Sequence, residues 1–325
     1  MPKTSEVYRR LFHYTSEAGL NGILESQALW ATNIRHLNDF RELTLFGEIG
    51  PKLIFPAVRN VYAKLSAASV KARNFISTHP GGLEEIAEHD AGGFIEAMYG
   101  ATGTNFFVTS FCGEDGDEYI NENGLLSQWR GYGGSQGFMI VFDTEGLESI
   151  IQKENEKFAY EIMHLSDVVY SDDEENLQAE LSGAIGAIRD YTQTHLEQTI
   201  SGAPESDEGA PMDAFVQCIT RYKHRGFKEE HEVRIAGWAR DDATQKRMEA
   251  DLGAPPRPLK PINVRTRADG KNIPYIELFG APQFTLPVQR VVVGPHADKV
   301  AVATKWREKL EAKGIEVTIS DIPYV

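Results

Sequence analysis

Apolar positions along the chain switch between two periods, and the switches place most of the elements. Leu11-Phe12-His13-Tyr14 reads as a short strand. After it, Leu20, Ile23 and Leu24 recur at helical spacing, and Thr15 or Ser16 is placed to cap that helix. Ala28–Thr32 is a second short strand, followed by the polar turn Arg35-His36-Leu37-Asn38-Asp39. A mostly helical region runs from there to about residue 100, broken at Thr78-His79-Pro80-Gly81-Gly82. Asn105–Cys112 and Phe138–Asp143 are dense apolar runs of strand length, and Gly113–Asn123 between them reads as an acidic loop. Phe158–Tyr170 predicts one or two strands, Glu174–Thr199 and Met212–Lys223 predict helices, and His231–Ala239 alternates as a strand. Ile200–Pro211 has the composition of a linker or exposed loop. Strands at about 273–279 and 288–293, a helix over Asp298–Lys313 and a strand over Glu316–Ser320 complete the chain. The strands cluster without regular βαβ alternation, which predicts an α+β fold built on a mixed, mainly antiparallel sheet. On this reading residues 1–325 are a single α+β domain, with helical insertions at about 45–100 and 174–225.

Composition narrows the class. The 325 residues are 41% hydrophobic and 25% charged, as in globular proteins, and no apolar run is long enough for a membrane span. The opening residues lack a signal-peptide pattern. Cys112 and Cys218 alone cannot build a disulfide scaffold or a cysteine-rich metal site, so the expectation is a cytoplasmic protein with no membrane partner and no metal. The net charge of −15 is unevenly spread. Residues 1–79 carry +4, 80–218 carry −24, 219–271 carry +5 and 272–325 are neutral. The acidic middle argues against broad, nonspecific nucleic-acid binding. If the two basic segments meet in space, an anionic ligand can bind despite the acidic total.

Four segments carry candidate chemistry. The stretch Leu125–Phe138 sets Gln128, Trp129, Arg130 and Tyr132 among four glycines. One reading is a glycine-rich hairpin in which Trp129 and Tyr132 anchor the core. The other is a pocket, with aromatic faces, an arginine fork and glycines that leave room for a flat ligand. His13-Tyr14-Thr15-Ser16 lies where a strand runs into a helix, a position that suits anions, and His13 there can donate to a ribose hydroxyl or a phosphate. The plainer reading is a packed histidine beside a helix cap. Asn38 and Asp39, with Arg41 and Glu42, form a polar turn that either caps a helix or walls a substrate. In the charged segment Tyr222–Arg234, strand alternation predicts Glu230, Glu232, Arg234 and Trp238 on one face and His231, Val233 and Ile235 on the other. A glutamate held by an arginine can stabilise positive charge, or it can be a salt bridge on a solvated strand. No dinucleotide loop, P-loop, zinc-protease motif or nucleophile elbow is present.

The order of these blocks resembles a bacterial family known as domain of unknown function 2971. The resemblance rests on Phe12–Ser16, Gly19-Leu20, Ile23-Leu24, Leu29–Thr32, Leu37-Asn38-Asp39 with Glu42, Thr109–Cys112, Leu126–Tyr132, Phe227–Arg234, Val293-Gly294-Pro295 and Ile322-Pro323-Tyr324. The arrangement is also similar to the ADP-ribosyltransferase superfamily, in its branch of nucleic-acid-modifying toxins. There a histidine-bearing strand comes first, an aromatic follows mid-chain and a glutamate comes late. That resemblance implies a split sheet and NAD as the substrate-cofactor. It implies cleavage of the nicotinamide glycosidic bond through an oxocarbenium-like ribose. Glu232, with Glu230 as second choice, would offset the developing charge, and Tyr132 or Trp129 would stack on nicotinamide. His13 would hold the distal ribose, and Arg130 would meet the pyrophosphate. Tyr14, Thr15, Asn38, Asp39 and Arg234 would line the nucleotide site. The implied role is a toxin or anti-phage effector, with a nucleic-acid or protein acceptor and an antitoxin or defence-system partner. The alternative is a non-catalytic module that senses a nucleotide or phage component. The transferase reading requires His13, Trp129–Tyr132 and Glu232 to converge.

Overall fold

A computed structural model describes residues 3–37, 41–102, 105–134, 136–171, 173–202, 211–253, 255–267 and 269–323. Helix α1 (Thr4–Val7) precedes strand β1 (Arg10–Ser16), whose last residue also starts helix α2 (Glu17–Ser26). Ser16, not Thr15, is the cap: its hydroxyl accepts from the Gly19 amide and satisfies one of the helix's free donors. Strand β2 (Ala28–Asn33) follows, then helices α3 (Arg41–Ala68), α4 (Val70–Thr78) and α5 (Gly82–Ala101). Next come β3 (Phe106–Gly113), α6 (Glu118–Asn123), α7 (Leu126–Tyr132), β4 (Gly137–Asp143), α8 (Thr144–Lys157), β5 (Tyr160–Asp167) and β6 (Val169–Ser171). The remainder comprises α9 (Glu174–Glu180), α10 (Ser182–Ser201), α11 (Met212–Arg221), β7 (Tyr222–His224), β8 (Glu232–Ala239), α12 (Asp242–Leu252), β9 (Asn263–Thr266), β10 (Asn272–Phe279), β11 (Val288–Val293), α13 (Lys299–Leu310) and β12 (Glu316–Ile319).

The fold is α+β, with a ten-stranded sheet that is antiparallel throughout except for the parallel pair β11–β12. Four elements depart from the pattern reading. The acidic stretch Gly113–Asn123 is not all loop, because Asp117 accepts from the Tyr119 amide and starts α6. The aromatic and glycine stretch is not a hairpin: Leu126–Tyr132 is helical. Helices α8 and α12 each follow an aspartate cap, Asp143 accepting from Gly146 and Asp241 accepting from Thr244. Those two caps are legible in the sequence and give the signal that the apolar periodicity of these short, charged helices does not.

The chain forms two compact units. Unit 1 comprises residues 1–36, 105–168 and 228–325, and unit 2 comprises residues 37–104 and 169–227. Unit 1 holds the large sheet. Its main core lies on one face, where Leu11, Phe111, Phe138, Ile140, Phe142, Val233 and Ile235 meet Leu20 and Leu24 of α2, Leu147 of α8 and Trp306 of α13. A smaller cluster of Phe12, Tyr14, Trp129, Met139, Val141 and Val292 lies on the opposite face. Unit 2 is mostly helical. Phe46, Leu53, Ile95, Ile185, Ile188 and Phe215 pack its α3, α5, α10 and α11, beside the parallel pair β6–β7.

The sheet of unit 1 forks at β3. Along one edge, β3 pairs with β8 from Phe106↔Trp238 to Cys112↔Glu232. On the other edge β1 holds one end (Leu11↔Gly113, Phe12↔Cys112), and β2 holds the other (Thr32↔Val108, Asn33↔Phe107). The β1 arm continues into β4, β11 and β12, and the β2 arm continues into β10 and β9. No helix among the described residues is long and apolar enough to cross a membrane.

Candidate functional site

His13 stands at the fork. Its strand leaves β3 after Phe12, and the ring occupies the gap in the ladder: Nδ1 lies 3.0 Å from the Ser110 carbonyl oxygen. A carbonyl only accepts, so Nδ1 carries the proton. Burial holds the His13 pKa below its ordinary value, with the Ser110 hydrogen bond opposing. Burial thus favours the neutral ring, in which Nε2 is an acceptor. In that form Nε2 takes a hydrogen bond from a hydroxyl. The ring packs on Phe111 with centroids 5.6 Å apart, on the main-core face.

The neighbouring residues divide by strand alternation. Tyr14 points to the opposite face, where its hydroxyl accepts from the Leu125 amide and its ring meets Trp129 edge-on at 4.9 Å. Thr15 returns to the main-core face and packs against Gly19 of α2.

Trp129 is 4% exposed, and its Nε1 donates to the Asn123 carbonyl. The glycines around it explain themselves in this setting. A Cβ on Gly124 would stand 2.6 Å from Trp129 Nε1, one on Gly294 would stand 2.7 Å from Cε3, and one on Gly137 would stand 3.1 Å from Cε3. The space that the glycines leave is filled by the indole, not kept for a flat ligand. In Val293-Gly294-Pro295 the glycine likewise serves Trp129. Helix periodicity turns Arg130 and Tyr132 outward, Tyr132 being half exposed. Gly133 at the end of α7 packs against Gly137, which pairs with Ser16. Tyr132 thus sits near the Ser16 end of β1.

Glu232 and Arg234 share one face of β8 and form a bidentate pair. Arg234 Nε donates to Glu232 Oε1 at 2.7 Å, and an Nη donates to Oε2 at 2.8 Å. Both side chains are buried, so the pair is not a bridge on a solvated strand. Glu230 does not share that face. It lies in the 3-10 turn before the strand, and His231 between them adopts a φ of 42°, which breaks the alternation. Asn38 and Asp39 lie outside the described residues.

The register settles which residues meet. Glu232 pairs with Cys112, and Cys112 pairs with Phe12, so Glu232 shares a face with Phe12, Tyr14 and Trp129. His13, one residue further, shares the face of Phe111 and Val233. His13 and Glu232 therefore lie on opposite faces of the sheet, and the required convergence of three elements does not occur. A groove of about 420 Å³ lined by Lys3, Glu148, Gln152, Asn155 and Met163 contains none of the predicted residues.

Sequence reasoning missed two features. Glu154 and Lys260 form a buried pair, with Tyr160 donating to the same carboxylate and Lys260 over the Phe158 ring at 4.1 Å. Their separation of 106 residues left no local signal. His296 is 5% exposed; its Nδ1 accepts from the Asp298 amide, and burial lowers its pKa.

No curated protein and no solved structure matches this chain. Residues 128–235, about a third of the chain, match the model of the family described as protein of unknown function, DUF2971, and by that segment this chain is similar to its members.

Proposed function

We propose that unit 1 binds NAD or a related ribonucleotide beside His13 at the fork, and that it does so as a binding module, without cleaving the nicotinamide bond through Glu232. The observation that carries this reading is the division of the sheet. The neutral His13 ring offers an acceptor for a ribose hydroxyl, while Glu232 lies on the other face with both oxygens held by Arg234. A carboxylate bound in this way is poorly placed to hold a reacting ribose hydroxyl or to follow charge as it develops.

The second reading is ADP-ribosyl transfer to a nucleic-acid or protein acceptor. The fork itself favours it, since a split sheet with a histidine on its first strand is what the resemblance to that superfamily implies. Calorimetric titration with NAD, paired with a measurement of nicotinamide release, separates the two. Binding that weakens in a His13→Asn variant, with no release in the presence of DNA, RNA or protein, supports the binding module. Release that disappears in a Glu232→Gln variant overturns it in favour of the transferase. Absence of binding of NAD sinks the transferase, and absence of binding of ADP-ribose and AMP as well sinks both.

A further inference from the structure

The other arm of the fork carries an open surface that neither reading uses. Trp30 on β2 is 46% exposed, the ring of Tyr275 on β10 lies 4.5 Å from it, and Arg265 on β9 stands 5.6 Å from its centroid. Arg265 also donates to the Thr32 hydroxyl, and Arg267 donates to the His36 carbonyl. Trp30 and Thr32 belong to the first basic segment of the sequence, and Arg265 and Arg267 belong to the second. Pairing of β10 with both β2 and β9 brings these two segments together.

We propose that this face of β2–β10–β9 docks single-stranded nucleic acid. The Trp30 indole, half exposed between Tyr275 and Arg265, offers aromatic surface on which a base can stack, and sequence-tolerant stacking is the common device of single-strand binding. Arg265 supplies positive charge 5.6 Å from the centre of that ring, and Arg267 adds charge further along, beside His36, which suits the phosphates that flank a stacked base. Glu277, opposite Trp30 in the ladder, sets the polarity of the site: phosphate belongs on the β9 side. The chain's net charge of −15 does not oppose this, because charges more than about 8 Å away are largely screened at physiological ionic strength. The patch is small, so the site takes one or two bases rather than a long strand. The inference is independent of nucleotide binding at His13.

Tryptophan fluorescence tests it in the full chain. Trp129 and Trp306 are buried, which leaves Trp30 as the most exposed indole. Titration with eight-nucleotide oligo-dT and oligo-rU at physiological ionic strength should give saturable quenching with at least one of them, and their ratio tells whether DNA or RNA is preferred. Trp30→Ala should weaken binding, followed by oligonucleotide anisotropy, roughly five- to hundredfold, while Trp30→Phe keeps it within a few fold. Arg265→Ala should lower the salt slope by about 0.7, the loss of one phosphate contact. Circular dichroism confirms that each variant is folded. Equal affinity for a duplex of the same length, unchanged affinity in folded Trp30→Ala, or no saturable binding would each overturn the proposal.

Discussion

Trp129 and Trp30 sit on the same face of one forked sheet and do opposite things. On the β1 arm, Trp129 is wrapped by Tyr14 and by Gly124, Gly137 and Gly294, and it closes the sheet under α7. On the β2 arm, Trp30 stays half exposed beside Tyr275 and Arg265. The sequence around Trp129, rich in glycine with an arginine and a tyrosine, has the look of a pocket; the sequence around Trp30 does not. The difference teaches that glycines beside an aromatic can be room for that aromatic itself. Which of the two holds depends on residues far away, here the strand end at Gly294.

The largest effect that would break this comparison is on stability. Trp129→Ala should destabilise unit 1 by about 3–5 kcal/mol, the cost of a large buried ring and the cavity it leaves, read by urea denaturation. A loss below about 1 kcal/mol would mean that the indole is not a packing residue. Next, Gly294→Ala should cost about 1–3 kcal/mol by overpacking against Trp129 Cε3. The same change in a Trp129→Phe background should cost less, since Phe vacates that space; equal costs in both backgrounds would separate Gly294 from the indole.

The fork gives a pH signature. The His13 pKa is lowered in the folded protein, so the unfolded chain binds more protons once the pH drops below the ordinary histidine value of about 6.5. The stability that His13 contributes is complete above that value and is lost as the pH falls toward its folded pKa. His296 acts in the same direction. A His13→Asn variant should show a shallower loss of stability between neutral and mildly acidic pH, measured by thermal melts; an unchanged acid limb would place the titration elsewhere. The smallest stability effect is at Trp30. Its replacement by alanine should change folding by about 1 kcal/mol or less, as at other surface sites, while oligonucleotide binding collapses.

Two buried ion pairs, Glu232–Arg234 and Glu154–Lys260, mark how far local sequence reaches. Glu232 and Arg234 are two residues apart on a strand, so alternation alone puts them on one face, and the pairing was legible. Their burial was not, because it depends on what covers the face. Glu154 and Lys260 meet only because α8 and the chain before β9 come together, and neither residue is conspicuous in its own segment.

The sequence by itself determined the strands and helices with clear periods, the α+β class, a helix cap at Thr15 or Ser16 and the same-face pair on β8. Each follows from residues within one turn or one strand of each other. Tertiary structure decided the fork at β3, the neutral state of His13, the burial of Trp129 and the exposure of Trp30. It also placed His13 and Glu232 on opposite faces. Registers between strands far apart in the chain fix these, and a shift of one residue reverses every face.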